Sequence, residues 1–315
     1  WQNVVAKKLY ITGGIGARRR GEAFGDNYEL PNATAYNETC AAIANVLWNQ
    51  RMFLLSGDAK YLDVLERTLY NGLISGVSLE GNTFFYPNCL EFDGIHPFNH
   101  GSTTRQEWFS TSCCPSNISR FIPSVPGYIY AQKQDTLYIN LYAANKAVMR
   151  IKNKTLKIVQ ETNYPWEGHI KMTLEPEKPV MLTLMLRLPG WAQNRPVPSD
   201  LYTYTDDNTC NVELIINDER VAQNVHKGFL TATRKWRAGD RVELDLSMPV
   251  RKVKAHEKVT ENHGKIALER GPIVYAAEAV DNSGQVRHLA VHPKETFAAT
   301  FYDQLLNGVT VIEGK

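Results

Sequence analysis

The sequence lacks long hydrophobic runs and carries little net charge. No stretch of about eighteen consecutive apolar residues occurs, so a membrane-spanning helix is not expected. The 35 basic and 33 acidic side chains leave a formal net charge of +2, which gives no electrostatic case for a nucleic-acid or membrane-surface partner. The basic run Arg18-Arg19-Arg20 is short and without interleaved aromatics, which favours a solvated loop or a local substrate contact. Trp1-Gln2-Asn3 does not open a signal peptide, although a chain that had lost its leader would look the same.

Cysteine is also scarce, and several common catalytic motifs are missing. The five cysteines are too few and odd in number for a disulfide scaffold, and no CxxC is present. Gly13-Gly14-Ile15-Gly16 contains neither GxGxxG nor a P-loop lysine, so a nucleotide site is not indicated. No GxSxG or HExxH occurs. The candidates that remain are carboxylates and sulfurs.

The most informative feature present is the adjacent pair Cys113-Cys114, followed at once by Pro115. Proline is favoured in the first turn of a helix, so we expect the pair where a helix begins. The free N–H groups and the helix dipole there lower the pKa of a thiol and favour thiolates, which act as metal ligands or as nucleophiles. Two plainer interpretations stay open from the pair alone, namely buried space-filling thiols and a vicinal disulfide.

Up to about residue 131 the hydrophobic periodicity is helical. One predicted helix carries apolar residues from Cys40 to Leu47, and a second, capped by Asp58, runs through Leu62–Leu73 and ends near Gly76. A short hairpin from residue 77 to 86 follows, then an irregular stretch from 93 to 112 of a length that is often functional. A last, short helix starts near Pro115.

After residue 131 the period becomes two, which indicates strands with one buried face. Turn signals at Asn217-Asp218 and Gly239-Asp240 predict antiparallel neighbours and a β-sandwich. Near residue 250 the pattern loosens and then resumes, which predicts a second, smaller or partial β module. The expected class is α+β and multidomain, with segments 1–131, 132–250 and 251–315. The alternating residues are Ile170, Met172, Leu174; Leu182, Leu184, Leu186, Leu188; and Val242, Leu244, Leu246, Met248.

Glu38 and Cys40 lie on either side of Thr39. If Thr39 is the N-cap of its helix, Glu38 lies just outside the helix and Cys40 opens it, so that both face one centre. With Cys113 and Cys114 they would supply one oxygen and three sulfurs, a set that suits tetrahedral zinc. Buried thiols remain the alternative from the chemistry alone.

Several motifs in order resemble the β-L-arabinofuranosidase family of glycoside hydrolases, family 127 and its close relatives. The match is dense from residue 10 to about 130 and sparser in the strands. The resemblance implies the last helices of an (α/α)₆ barrel followed by antiparallel β-sandwich modules. The motifs are Tyr10-Ile11-Thr12-Gly13-Gly14-Ile15-Gly16, Gly21-Glu22-Ala23-Phe24, Asn27-Tyr28-Glu29-Leu30-Pro31-Asn32, Tyr36-Asn37-Glu38-Thr39-Cys40, Phe84-Phe85-Tyr86, Cys113-Cys114-Pro115 with Asn117, Ile118 and Arg120, Leu188-Pro189-Gly190-Trp191 and Glu269-Arg270-Gly271-Pro272.

The resemblance also implies roles for individual residues. It makes Glu22 the general acid/base, Cys113 the nucleophile and Tyr86 a substrate contact. It makes Glu38, Cys40, Cys113 and Cys114 the ligands of Zn²⁺. Taken alone, Glu22 would pass for a surface-loop carboxylate and Tyr86 for a hairpin core residue. His96 and His100 are expected to be loop histidines, either of which could lie near the site.

The function implied is retaining, zinc-dependent, cysteine-nucleophile hydrolysis of β-L-arabinofuranosides or related rare furanosides of plant cell-wall glycans, in a bacterial cytoplasm or periplasm. The expected partner is an oligosaccharide or arabinofuranoside, with no nucleic acid or membrane, and a homodimer through the β modules is a further expectation. The alternatives are a polysaccharide lyase and a zinc-stabilised, non-catalytic carbohydrate-binding fragment. Because the family's barrel has a long N-terminal half that is missing here, we expect a fragment with an incomplete sugar site.

Overall fold

The computed structural model describes residues 1–151, 153–292 and 295–314. Helices occupy the first part of the chain and strands the rest, in the segregated order that the periodicity predicts. No helix in these ranges is long and apolar enough to cross a bilayer. The helices are α1, Gln2–Lys7; α2, Thr39–Ser56; α3, Lys60–Arg67; and α4, Cys113–Phe121.

Helix α2 lies at the centre of the helical part. Its buried face combines apolar residues such as Val46 and Phe53 with buried amides. The amide of Asn45 donates to the carbonyl of Gly13 at 3.0 Å and ties the N-terminal loop to the helix. The helix ends at Gly57, whose φ of 64° is the left-handed conformation of a C-terminal cap and whose N–H bonds to the Phe53 carbonyl at 2.7 Å.

Helix α3 begins just after the capping residue Asp58, and the helical run that it opens ends where the sequence predicts. The Asp58 carboxylate accepts a hydrogen bond from the Lys60 N–H at 3.0 Å, which satisfies one free donor of the first turn. The chain then continues as a π-helical segment, Thr68–Leu73, and a 3₁₀ turn, Ile74–Gly76. The expected end near Gly76 is confirmed.

Strands β1 to β13 build most of the β region. Three of them, β5, β6 and β12, carry the alternating residues that the sequence predicts to be buried on one face. The bounds are β1, Tyr130–Lys133; β2, Thr136–Ile139; β3, Asn145–Ile151; β4, Lys154–Thr162; β5, His169–Pro176; β6, Val180–Arg187; β7, Tyr202–Tyr204; β8, Val212–Ile216; β9, Glu219–Arg220; β10, Val225–His226; β11, Phe229–Trp236; β12, Asp240–Leu246; and β13, Val250–Ala255.

Two sheets share one hydrophobic core and form the sandwich. One has the order β1-β2-β6-β11-β10 and the other β3-β4-β5-β12-β8-β9. Inward-facing residues of both sheets, such as Leu184, Trp236 and Leu244, belong to the same buried cluster. Strand β5 buries Ile170, Met172 and Leu174, and β12 buries Val242, Leu244 and Leu246, so the period-two prediction is confirmed there.

Two expectations about pairing need correction. Strand β2 pairs with β6 in parallel, with Thr136 opposite Thr183, because three strands of the other sheet intervene along the chain. Gly239-Asp240 does not join antiparallel neighbours, since it carries the chain from β11 in one sheet to β12 in the other. Asn217-Asp218 does form a hairpin turn between β8 and β9, with positive φ at both residues as a type I′ turn requires.

A third sheet has the order β15-β14-β13-β7, and β16 and β17 form a separate antiparallel pair. Strand β7 lies before residue 250 and between sandwich strands along the chain. The third sheet therefore contains a strand from the segment expected to form the sandwich. The remaining bounds are β14, Ala267–Arg270; β15, Ile273–Tyr275; β16, Ala298–Tyr302; and β17, Val309–Glu313.

Buried ion pairs on α3 lock the helical part to the sheets. Arg187 of β6 is fully buried and donates to Asp63 at 3.1 Å and to Glu66. Arg67 pairs with Glu269 of β14 at 2.8 Å, and both side chains are buried. Charges in an apolar interior are tolerated only when paired and hydrogen-bonded. The two pairs therefore hold α3 at a fixed position against the sheet that contains β6 and against the third sheet, which contains β14.

We expect Arg187→Ala to lower the free energy of unfolding by about 3–5 kcal/mol, because two buried carboxylates would lose their cation. The matched control is Arg241→Ala, which removes an exposed pair with Asp218 and should cost less than about 1 kcal/mol. Urea unfolding followed by circular dichroism compares the two. Similar midpoints for both variants would show that the buried pair is not a strong constraint.

Candidate metal and active centre

The N-terminal ends of α2 and α4 meet at one point. Glu38 is extended, with φ −61° and ψ 139°, and directly precedes the first helical residue, Thr39. Cys113 and Cys114 are the first two residues of α4, as Pro115 predicts. The expected N-cap is off by one residue: Thr39 lies inside the helix because its hydroxyl donates to the Phe85 carbonyl at 2.8 Å rather than capping.

Four side chains converge where the two helices begin. One ligand atom from each of Glu38, Cys40, Cys113 and Cys114 lies within 4.8 Å of all the others. A Glu38 oxygen lies 3.5 Å from the Cys113 sulfur and 3.4 Å from the Cys114 sulfur, and the two sulfurs are 4.0 Å apart. All five cysteines are free thiols, so the vicinal disulfide considered above is wrong.

These spacings fit a tetrahedral metal site. With metal–sulfur bonds of about 2.3 Å and metal–oxygen bonds of about 2.0 Å, the edges of a tetrahedron are about 3.8 Å between sulfurs and about 3.5 Å between sulfur and oxygen. The distances around Glu38 match these edges within a few tenths of an ångström. The Glu/Cys/Cys/Cys group could therefore hold one metal ion with little movement.

The thiols influence one another strongly. A hydrogen bond from Cys114 lowers the pKa of Cys40. The same contact with Cys40, together with burial, raises the pKa of Cys114, and burial raises the pKa of Cys113. Without a cation the cluster therefore favours one thiolate over three, because each further negative charge would repel the first.

Tyr86 contacts the exposed side of this cluster. Its hydroxyl lies 2.9 Å from the Cys113 sulfur, and its side chain is otherwise buried. Burial raises the pKa of the Tyr86 phenol far above its usual value, so the hydroxyl keeps its proton. It accepts from the Cys113 thiol and could donate to the sulfur once that sulfur is ionised. The expected hairpin around it is reduced to a single antiparallel bridge between Val77 and Phe84.

Glu22 lies at the tip of a tight hairpin closed by the bridge between Arg18 and Ala23. Its backbone is left-handed, with φ 49°, and its side chain is exposed. The carboxylate accepts a hydrogen bond from the Tyr36 hydroxyl at 3.0 Å, and the ring centres of Tyr36 and Tyr86 are 6.2 Å apart. Glu22 is thus linked to the sulfur cluster through two tyrosines.

In the sequence analysis, Tyr36 and His100 have no role at the site. Tyr36 lies two residues before Glu38, inside the motif that also supplies Glu38 and Cys40. Its place in that motif was a sequence signal that could have pointed to the site. The His100 ring is centred 4.3 Å from that of Tyr86, so this loop histidine lies beside the site. His96 is a loop histidine, with its exposed ring against Asp93.

Most of the chain matches models of one family. Residues 1–127 match the β-L-arabinofuranosidase catalytic domain of glycoside hydrolase family 127, residues 136–248 its middle domain and residues 250–309 its C-terminal domain. The chain belongs to glycoside hydrolase family 127, and the resemblance inferred from the motifs is confirmed. Neither the lyase nor the non-catalytic alternative gains any support.

Named relatives agree with this assignment. A non-reducing end β-L-arabinofuranosidase of Bifidobacterium longum subsp. longum is 36% identical over 329 residues, covering 99% of this chain and 46% of that protein. A solved family 127 β-arabinofuranosidase superposes with a TM-score of 0.96 at 50% identity, over 100% of this chain and 48% of its own. The family 127 β-L-arabinofuranosidase of Geobacillus stearothermophilus T6 gives 0.90 at 43% identity, with coverage of 100% and 48%. The chain therefore spans about half the length of these relatives.

Proposed function

We propose that this chain carries the catalytic centre of a retaining β-L-arabinofuranosidase that acts on arabinofuranosides, or related rare furanosides, of plant cell-wall glycans. The observation that carries the proposal is the convergence of Glu38, Cys40, Cys113 and Cys114, with Tyr86 at the Cys113 sulfur. Family membership and the activity named for the relatives support it. In the same proposal, residues 1–131 form the last helices of an (α/α)₆ barrel, 132–250 the sandwich and 251–315 a further β module.

The metal we propose is Zn²⁺, held by Glu38 and the three cysteines. Three thiolates and one carboxylate are ligands typical of zinc, and the three spacings among Glu38, Cys113 and Cys114 match its tetrahedron. When bound, the ion keeps the sulfurs ionised at neutral pH. The positive ends of the helix dipoles at the starts of α2 and α4 favour the same ionised state.

In the proposed reaction Cys113 is the nucleophile. Its sulfur forms a bond to the anomeric carbon as the bond from that carbon to the leaving oxygen breaks, and Glu22 gives its proton to that oxygen. Glu22 then takes a proton from water, whose oxygen attacks the same carbon and releases the Cys113 thiolate. Tyr86 contacts the sugar beside the sulfur.

Two of the cysteines have separate tasks in this proposal. The Cys114 sulfur is fully buried, whereas Cys113 is half-buried and faces Tyr86. A buried sulfur is suited to anchoring the ion, and a partly accessible one can reach the substrate. The difference in burial therefore favours Cys113 as the nucleophile.

Reduced, unchelated protein should contain about one zinc per chain by elemental analysis. Cys114→Ser should lose most of it, because a hydroxyl is a much weaker ligand than a thiolate. The matched control is Cys210→Ser, since Cys210 lies in the β region outside the cluster. Zinc-free wild-type protein, or equal loss in both variants, would rule out the site.

Cys113→Ser should lower turnover of an activated aryl β-L-arabinofuranoside at least about a thousandfold while most of the zinc stays bound. The assay uses enzyme of the relatives' full length carrying this sequence, with Cys210→Ser as the active control. A haloacetyl analogue of the sugar should label Cys113 alone, as read by peptide mass spectrometry. Labelling of Cys114, or substantial activity in Cys113→Ser, would contradict the assignment of the nucleophile.

The first product released should keep the β configuration, because two displacements at one carbon restore it. Proton NMR during the first minutes of hydrolysis distinguishes the anomers before they interconvert. An α product would exclude the double displacement, whichever residue acts as nucleophile.

A further inference from the structure

Residues 99–102 form a tight turn beside the sulfur cluster. The N–H of Asn99 donates to the Ser102 carbonyl at 2.9 Å, and the N–H of Ser102 returns a bond at 3.1 Å. The two central residues, His100 and Gly101, have φ of 50° and 93°. Positive φ at both positions defines a type I′ turn. The stretch from 93 to 112, which is irregular as expected, therefore contains one well-defined element.

Asn99 anchors this turn to the segment that carries Tyr86. Its side chain is fully buried and makes three bonds to backbone. The Oδ1 atom accepts from the Tyr86 N–H at 2.9 Å, and the Nδ2 group donates to the carbonyls of Phe84 at 3.1 Å and Thr104 at 2.9 Å. The amide thus adds to the bridges that Phe84 makes with Val77 and Gln106 and fixes the backbone of residues 84–86.

His100 places its ring on the Tyr86 ring. The ring centres are 4.3 Å apart, and Phe109 completes a triangle at 5.6 Å from His100 and 5.5 Å from Tyr86. Asparagine is the residue most favoured at the first central position of a type I′ turn, so histidine here is a less favourable choice for the backbone. Unfavourable local choices of this kind concentrate at functional sites.

We propose that Asn99 and His100 are positioning residues that hold the Tyr86 hydroxyl against the Cys113 sulfur. Asn99 fixes the backbone of Tyr86, and the His100 ring fixes its side chain, so the 2.9 Å contact with the sulfur is made by a hydroxyl held in place. The functional meaning of this contact rests on the proposed role of Cys113. The coupling between the position of the turn and the Tyr86–Cys113 contact does not depend on that role.

A double-mutant cycle on Cys113 alkylation tests the coupling in this chain. Reduced protein in a chelator is treated with iodoacetamide at fixed pH, and the rate at Cys113 is read by peptide mass spectrometry. His100→Asn and Tyr86→Phe should each change the rate in the same direction by about threefold or more. The double variant should equal Tyr86→Phe, because His100 acts only through the tyrosine hydroxyl.

His100→Asn also separates positioning from folding. Asparagine suits the left-handed turn at least as well as histidine, so the melting temperature should stay the same or rise while the alkylation rate changes. His100→Phe keeps an aromatic ring and should restore a rate within about twofold of wild type.

Asn71 is a matched control for Asn99. It too is buried and makes one acceptor and two donor bonds to backbone, with the Val274 N–H and the carbonyls of Arg67 and Pro272. Asn99→Ala and Asn71→Ala should both lower stability by about 1–3 kcal/mol, from the same lost bonds. Only Asn99→Ala should change the Cys113 alkylation rate.

Multiplicative effects in the cycle, or an unchanged rate in His100→Asn, would overturn the proposal. An equal rate change in Asn71→Ala would also overturn it, because general loosening would then explain the result. Failure of the proposed function would appear elsewhere, as absent zinc or as labelling of another residue by the sugar analogue, with the cycle intact.

Discussion

Two helices begin at the same point in space, and the rest of the site depends on this meeting. The first turn of each presents backbone N–H groups that have no partner within the helix, and the positive end of the helix dipole, which favours negative charge there. The sequence places sulfur and carboxylate donors at both starts, Cys40 with Glu38 at one and the pair Cys113-Cys114 at the other. Four such donors repel one another when ionised, so the same geometry that gathers them also calls for a cation between them.

The segment that carries Tyr86 is hydrogen-bonded to the start of α2 and to the turn at Asn99. The N–H of Thr39, the first residue of α2, donates to the Tyr86 carbonyl at 2.9 Å. The Tyr86 N–H bonds on its other side to Asn99. One short extended segment therefore joins the start of a helix to a tight turn. A shift in either neighbour is transmitted to the phenol through backbone hydrogen bonds, which are short and directional.

Local signals predicted the elements well because the physics behind them is local. Pro115 marked a helix start, and the period of two marked the buried faces of β5 and β12. Such signals say which face a strand buries but not which strand it pairs with. The parallel pairing of β2 with β6 and the crossing at Gly239-Asp240 were therefore out of reach.

The site residues divide in the same way. Glu38, Cys40, Cys113 and Cys114 could be grouped because each lies at a helix start that the sequence announces. The contact between Glu22 and Tyr36 depends on how a loop tip folds back, which no periodicity records. Asn99 escaped notice because a buried amide within a polar loop resembles any other loop asparagine until its three backbone partners are known.

The charges on α3 bear on how separable the modules of this family are. Asp63, Glu66 and Arg67 lie on the helical side, but their counterions, Arg187 and Glu269, belong to two different sheets. A cut near residue 131 would fall between the segments matched by the family models. It would still leave two carboxylates and one guanidinium unpaired in an apolar surface. Modules that are distinct in sequence are thus one electrostatic unit. A chimera made from this chain would have to exchange both partners of each pair together.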